Sequence, residues 1–112
     1  MTDLANAFPL AVDAMGGDLG PAEVVAAVAL ALREQKSLPG LWLVGDEATL
    51  KPLLKEKKLD RDSRLRIHHA PDTISMKDKP KEAFKKKSSS MLQALELVRS
   101  GQSQGVASCG NT

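Results

Sequence analysis

Leu41-Trp42-Leu43-Val44 is an unbroken apolar run between two turn-forming clusters, Ser37-Leu38-Pro39-Gly40 before it and Gly45-Asp46 after it. Continuous apolarity over so short a stretch, without alternation, predicts a parallel strand buried on both faces. The rest of the chain divides around it. Phe8 to Val12 reads as a short buried strand. Pro21 to Gln35 reads as a helix, apolar over most of its circumference through Val24, Val25, Ala27, Val28, Leu30, Ala31 and Leu32. Asp46 is placed to cap a second helix, and Pro52 predicts that this helix is kinked or split in two. Leu65 to His69 is a third strand and Ala70 to Pro80 a loop. Ser88 to Ser100 is a third helix: Ser90-Met91-Leu92-Gln93 matches a capping box with Ser90 as N-cap, and Gly101 supplies the stop. Val106 to Cys109 is a fourth strand, after which Gly110-Asn111-Thr112 opens another strand-to-helix loop.

Strands alternating with helices predict an α/β fold with a parallel sheet. A parallel strand needs cover on both faces, and no helix follows Val106 to Cys109. Residues 1–112 are therefore expected to be the front part of one larger domain. A chain of 112 residues holds one domain at most.

The candidate chemistry gathers at Val12-Asp13-Ala14-Met15-Gly16-Gly17-Asp18, with Pro21 behind it. A strand runs through an acidic residue and two glycines into a helix that starts near a proline. Adjacent glycines let backbone N–H groups converge on a ligand, and proline suits the first helical turn. In an open α/β sheet this junction lies at the carboxyl edge, where ligands bind. A tight turn alone would also account for the glycine pair.

Composition narrows the partners. Residues 1–50 hold seven acids and two bases, whereas residues 51–112 hold seven acids and fourteen bases. Much of the excess lies between Lys77 and Lys87, and such a patch attracts anions without specifying which. Only three aromatic residues, Phe8, Trp42 and Phe84, are present, and no nucleic-acid motif appears, so nucleic acid is not an expected partner. There is no G-x-G-x-x-G of a conventional dinucleotide site. No apolar run approaches a membrane span, and Met1 to Leu10 lacks the pattern of a signal peptide. Cys109 is the single cysteine, so no internal disulfide forms; all of this fits the cytoplasm. His68 and His69 should point to opposite faces of their strand, which argues against shared metal ligation, and no metal site is expected.

Four segments taken together carry a resemblance: Val12 to Asp18 with Pro21, then Leu43-Val44-Gly45-Asp46, then Lys86-Lys87-Ser88-Ser89-Ser90-Met91, then Ser108-Cys109-Gly110-Asn111-Thr112. Their order and spacing resemble the bacterial phosphate acyltransferase of phospholipid synthesis, the PlsX family, over essentially the whole chain. Cys109 stands where the family usually has alanine, so Cys109→Ala is expected to retain activity. The resemblance implies a three-layer α/β/α sandwich with a mainly parallel, Rossmann-like sheet, incomplete here at the C-terminus. It implies acyl transfer from acyl carrier protein to inorganic phosphate, giving acyl phosphate, by a cytoplasmic homodimer peripheral to the inner membrane and without a cofactor. Family members are considerably longer, so the 112 residues by themselves are expected to be inactive. Two alternatives stand beside this reading: a relative of phosphate acetyltransferases or decarboxylating dehydrogenases, and a non-catalytic module that binds a partner through its lysines.

The chemistry that the resemblance implies needs donors for a dianion and for the developing oxyanion. Gly16 and Gly17 would offer backbone N–H groups. Asp13 belongs to the same site but, as a like charge, would orient a cation or hold the turn rather than touch phosphate, and Asp18 would cap the turn. Ser89 and Ser90 open a helix whose N-terminus favours an anion, although Ser90 read alone is an N-cap. Asn111 would donate to the oxyanion, flanked by Gly110 and Thr112. Lys85, Lys86 and Lys87 either form a solvated face or meet the acidic carrier protein.

Overall fold

The structure is a computed structural model, and it describes residues 8–15, 20–71 and 89–108. Among the described residues four strands and three helices alternate: β1 (Leu10–Asp13), α1 (Gly20–Glu34), β2 (Leu41–Gly45), α2 (Glu47–Glu56), β3 (Leu65–His69), α3 (Ser90–Arg99) and β4 (Gly105–Ser108). All the pairings are parallel, in the order β3-β2-β1-β4. This is the expected α/β architecture, with the strand sequence of the first half of a doubly wound sheet.

The two-residue period of the strands sorts their side chains into two cores. On one face Leu41 and Leu43, with Val12, Leu65 and Ile67 beside them, meet Val24, Val25, Val28 and Leu32 of α1 and Leu50 and Leu54 of α2. On the other face Ala11, Trp42 and Val44 pack with Phe8, Ala70 and Val106 against Ala94 and Leu97 of α3. Helices therefore cover both faces. Every residue of β2 is buried, because β2 is an inner strand between two helical layers.

Three details depart from the sequence reading. Helix α1 buries a narrower stripe than most of its circumference: its core residues are Val24, Val25, Val28 and Leu32, while Leu30, one of the apolar positions of the sequence, is 50% exposed. Its alanines, being small, mark no side. Helix α2 runs unbroken through Pro52, which is exposed. Leu50 and Leu54, one turn apart, anchor that helix to the sheet, and this burial outweighs one lost backbone hydrogen bond. Helix α3 begins at Ser90, so its N-cap is Ser89, whose hydroxyl accepts the Leu92 N–H at 3.3 Å.

Candidate functional site

The sheet reverses its winding between β1 and β4, and ligands of doubly wound sheets bind outside the strands' carboxyl ends at such a point. Asp13 ends β1 directly across from Ser108 in the register of that pair. Helix α3 packs over β1, β2 and β4. Its direction is fixed at both ends. Near its start, His68 at the end of β3 is bonded through Nε2 to Gln93 Oε1 at 2.8 Å. Beyond its finish, Trp42 at the start of β2 donates its indole N–H to the Gln102 carbonyl at 3.3 Å. Helix α3 thus runs antiparallel to the strands and brings Ser89 and Ser90 to the carboxyl edge, where Asp13 lies.

Asp13 is 1% exposed, and its carboxylate accepts the Met15 N–H at 3.1 Å, an Asx-type turn that shapes the exit from β1. The Ala14 N–H donates to the Val44 carbonyl at 2.9 Å and ties that exit to β2. The carboxylate therefore shapes its own turn, one of the two roles the sequence left open for it. Ser89 and Ser90 are both buried. Ser89 is used as the cap, and Ser90 Oγ is a buried side-chain oxygen with no hydrogen-bond partner among the described residues. An unpaired buried hydroxyl costs free energy. It sits beside first-turn N–H groups that lack helical partners and carry the positive end of the helix dipole. An anion would draw on both.

Gly16, Gly17, Asp18, Lys85, Lys86, Lys87, Cys109, Gly110, Asn111 and Thr112 lie outside the described residues. The two histidines diverge as expected: His68 faces α3, whereas His69 Nδ1 accepts the Glu47 N–H at the start of α2 at 3.1 Å. Among the described residues no three histidine, cysteine, aspartate or glutamate side chains gather to hold a metal ion, and no helix is long and apolar enough to cross a membrane. Glu47 lies 2.6 Å from the Lys51 ammonium, which holds its carboxyl below the ordinary value. Sequence reasoning missed the His69 contact and the seating of Met15 against Gly45. Neither leaves a periodic signal, because both join residues far apart in the chain.

The family model described as fatty acid synthesis protein matches residues 8–112. The phosphate acyltransferase of Methylococcus capsulatus is 45% identical over 104 residues, which cover 92% of this chain and 30% of that protein. The phosphate acyltransferase of Aquifex aeolicus is 42% identical over 103 residues, with the same two shares. That of Tolumonas auensis is 46% identical over 108 residues, 96% of this chain and 32% of its own length. The chain thus spans about 30% of the length of these curated relatives.

Proposed function

The chain belongs to the fatty acid synthesis protein family, and from that membership we propose that it supplies the phosphate-holding part of a phosphate acyltransferase. The reaction is acyl transfer from acyl carrier protein to inorganic phosphate. A phosphate oxygen bonds to the thioester carbonyl carbon, the carbon–sulfur bond breaks, and the carrier leaves as its thiol. No covalent enzyme intermediate is required. The observation that carries this reading is the buried, unpartnered Ser90 hydroxyl at the N-terminus of α3, on the edge that Asp13 shapes.

In this reading Ser90 donates its hydroxyl proton to a phosphate oxygen, and the α3 first turn and the N–H groups of Gly16 and Gly17 share the remaining charge. Ser89 holds that turn in place, and Asp13 holds the exit from β1. Asn111, between Gly110 and Thr112, serves the oxyanion. The lysines Lys85 to Lys87 face the acidic carrier protein. The working enzyme is a cytoplasmic homodimer that associates with the membrane surface.

The test joins this chain to the remaining two thirds of the Methylococcus capsulatus relative and follows thiol release from acyl carrier protein with and without phosphate. Phosphate-dependent release is expected. Ser90→Ala should leave the melting temperature unchanged or raised, because it deletes a hydroxyl with no partner. It should also raise KM for phosphate by roughly tenfold, the worth of one hydrogen bond to a charged group. Release that ignores phosphate, or a Ser90→Ala protein with unaltered KM, would refute the assignment.

A further inference from the structure

His68 ties the first turn of α3 to β3. Its Nε2 lies 2.8 Å from Gln93 Oε1, so the ring donates and the amide oxygen accepts. Gln93 also closes that first turn, its backbone N–H donating to the Ser89 carbonyl at 2.9 Å. It stands three residues beyond Ser90, and residues so spaced are neighbours on a helix, with about 5–6 Å between their Cβ atoms. The His68 ring is itself held in place. It meets the buried Trp42 edge to face, with centroids 6.2 Å apart and planes at 86°, and Trp42 is fixed by its indole N–H to the Gln102 carbonyl. The rest of α3 rests on the sheet through the buried Ala94 and Leu97. Apolar contact of that kind has no direction, whereas a hydrogen bond has a preferred distance and angle. The bond to His68, on the flank that faces β3, therefore fixes the roll of the first turn about the helix axis.

We propose that His68 is a positioning residue for phosphate binding: through Gln93 it sets the roll of the α3 first turn, and with it the direction in which the Ser90 hydroxyl and the first-turn N–H groups face. His68 touches no substrate and acts only through Gln93. Without the bond the turn samples other rolls, and phosphate binds only the competent one, so its apparent affinity falls by the competent fraction. The inference rests on the reading that the N-terminus of α3 holds phosphate.

The experiment uses the same chimera and a double-mutant cycle between His68→Ala and Gln93→Ala. Each variant should raise KM for phosphate about threefold to fivefold with kcat little changed, the shift in population that one neutral hydrogen bond can hold. The double variant should exceed either single one by less than about twofold, because both remove the same bond. His68→Gln sets an amide N–H where the imidazole Nε2–H stood and should bring KM back to within about twofold of the parent. A bond that serves folding alone would lower the melting temperature and leave KM unmoved in every variant. That result would overturn the proposal, as would rises that multiply in the double variant, or a His68→Gln protein no better than His68→Ala. Should His68→Ala fail to fold, Gln93→Ala and His68→Gln carry the same expectations. Deuterium exchange at the Gln93 amide adds an arm independent of turnover: it should quicken in His68→Ala and return to the parent rate in His68→Gln, and an unchanged rate in both would refute the brace. A parent chimera whose thiol release ignores phosphate would sink the proposed function and this role with it, whereas a phosphate-dependent parent with unaltered KM in the variants would remove His68 alone.

Discussion

His69 caps helix α2 from a different strand: its imidazole Nδ1 accepts the backbone N–H of Glu47 at 3.1 Å. Asp46, the N-cap by position, makes no side-chain cap bond. Its carboxylate instead takes the Thr49 hydroxyl at 2.7 Å. The side-chain cap is thus supplied by His69, 22 positions away in the chain, and not by Asp46. Because Nδ1 accepts, the proton of the neutral ring resides on Nε2.

Removing that acceptor leaves an orphan N–H at the helix start. His69→Ala should therefore destabilise the chain by about 1 kcal/mol, the usual worth of a lost cap. Trp42, the single tryptophan, is nearly buried, so its fluorescence reports the urea transition. An unchanged midpoint in the variant would show that solvent serves the Glu47 N–H equally well.

The order of elements was legible because β2 is apolar throughout and α3 has an amphipathic face. Both are local patterns that burial imposes on sequence. Position along the chain was less legible where two adjacent residues are chemically alike. Ser89 and Ser90 each suit a cap, and the choice depends on where Leu92 N–H falls, which is a matter of backbone geometry. A kink or a split at Pro52 is what the sequence suggests because the cost of proline is local, whereas the burial of Leu50 and Leu54 that keeps the helix in one piece is tertiary. The orphaned Ser90 hydroxyl could not be read in advance, since a missing partner has no sequence signature.

Asp62 braces the turn before β3. Its carboxylate accepts the Arg64 backbone N–H at 2.9 Å and the Arg64 guanidinium at 3.3 Å, while the same guanidinium reaches the Leu32 carbonyl of α1 at 3.3 Å. Burial works against ionising Asp62, and the Arg64 side chain and N–H outweigh it, so its pKa lies below the ordinary 3.8. A carboxyl with a folded pKa below its unfolded value binds protons less readily when folded. Its stabilisation is therefore full above about pH 4 and fades as the pH falls through the depressed value. Asp62→Asn should lower stability at neutral pH by a few tenths to about 1 kcal/mol, since the pair is partly exposed. It should also flatten the decline between about pH 4 and 2. Denaturant melts across that range check both; parallel curves for the two proteins would remove Asp62 from the account.

Helices α2 and α3 end in the same hydrogen-bonded motif with different residues at its left-handed position. After α3, Gly101 has φ +82°, donates to the Val98 carbonyl at 3.1 Å, and is followed by Gln102 N–H to Leu97 at 2.9 Å. After α2, Lys58 has φ 60°, donates to the Lys55 carbonyl at 3.0 Å, and is followed by Leu59 N–H to Leu54 at 2.8 Å. These are paired Schellman bonds, for which glycine is favoured because a Cβ is strained at positive φ. The Leu59 side chain packs on the core that holds Leu54, which keeps lysine in the strained conformation. Lys58→Gly should accordingly stabilise the chain by about 1 kcal/mol, and Gly101→Ala should destabilise it by a similar amount. Nothing lies within 4 Å of a Cβ placed on Gly101, so the loss there would be conformational strain and not a clash. Thermal melts of the two variants should shift in opposite directions. A fall in melting temperature for Lys58→Gly would mean that the lysine makes a contribution outweighing its backbone strain.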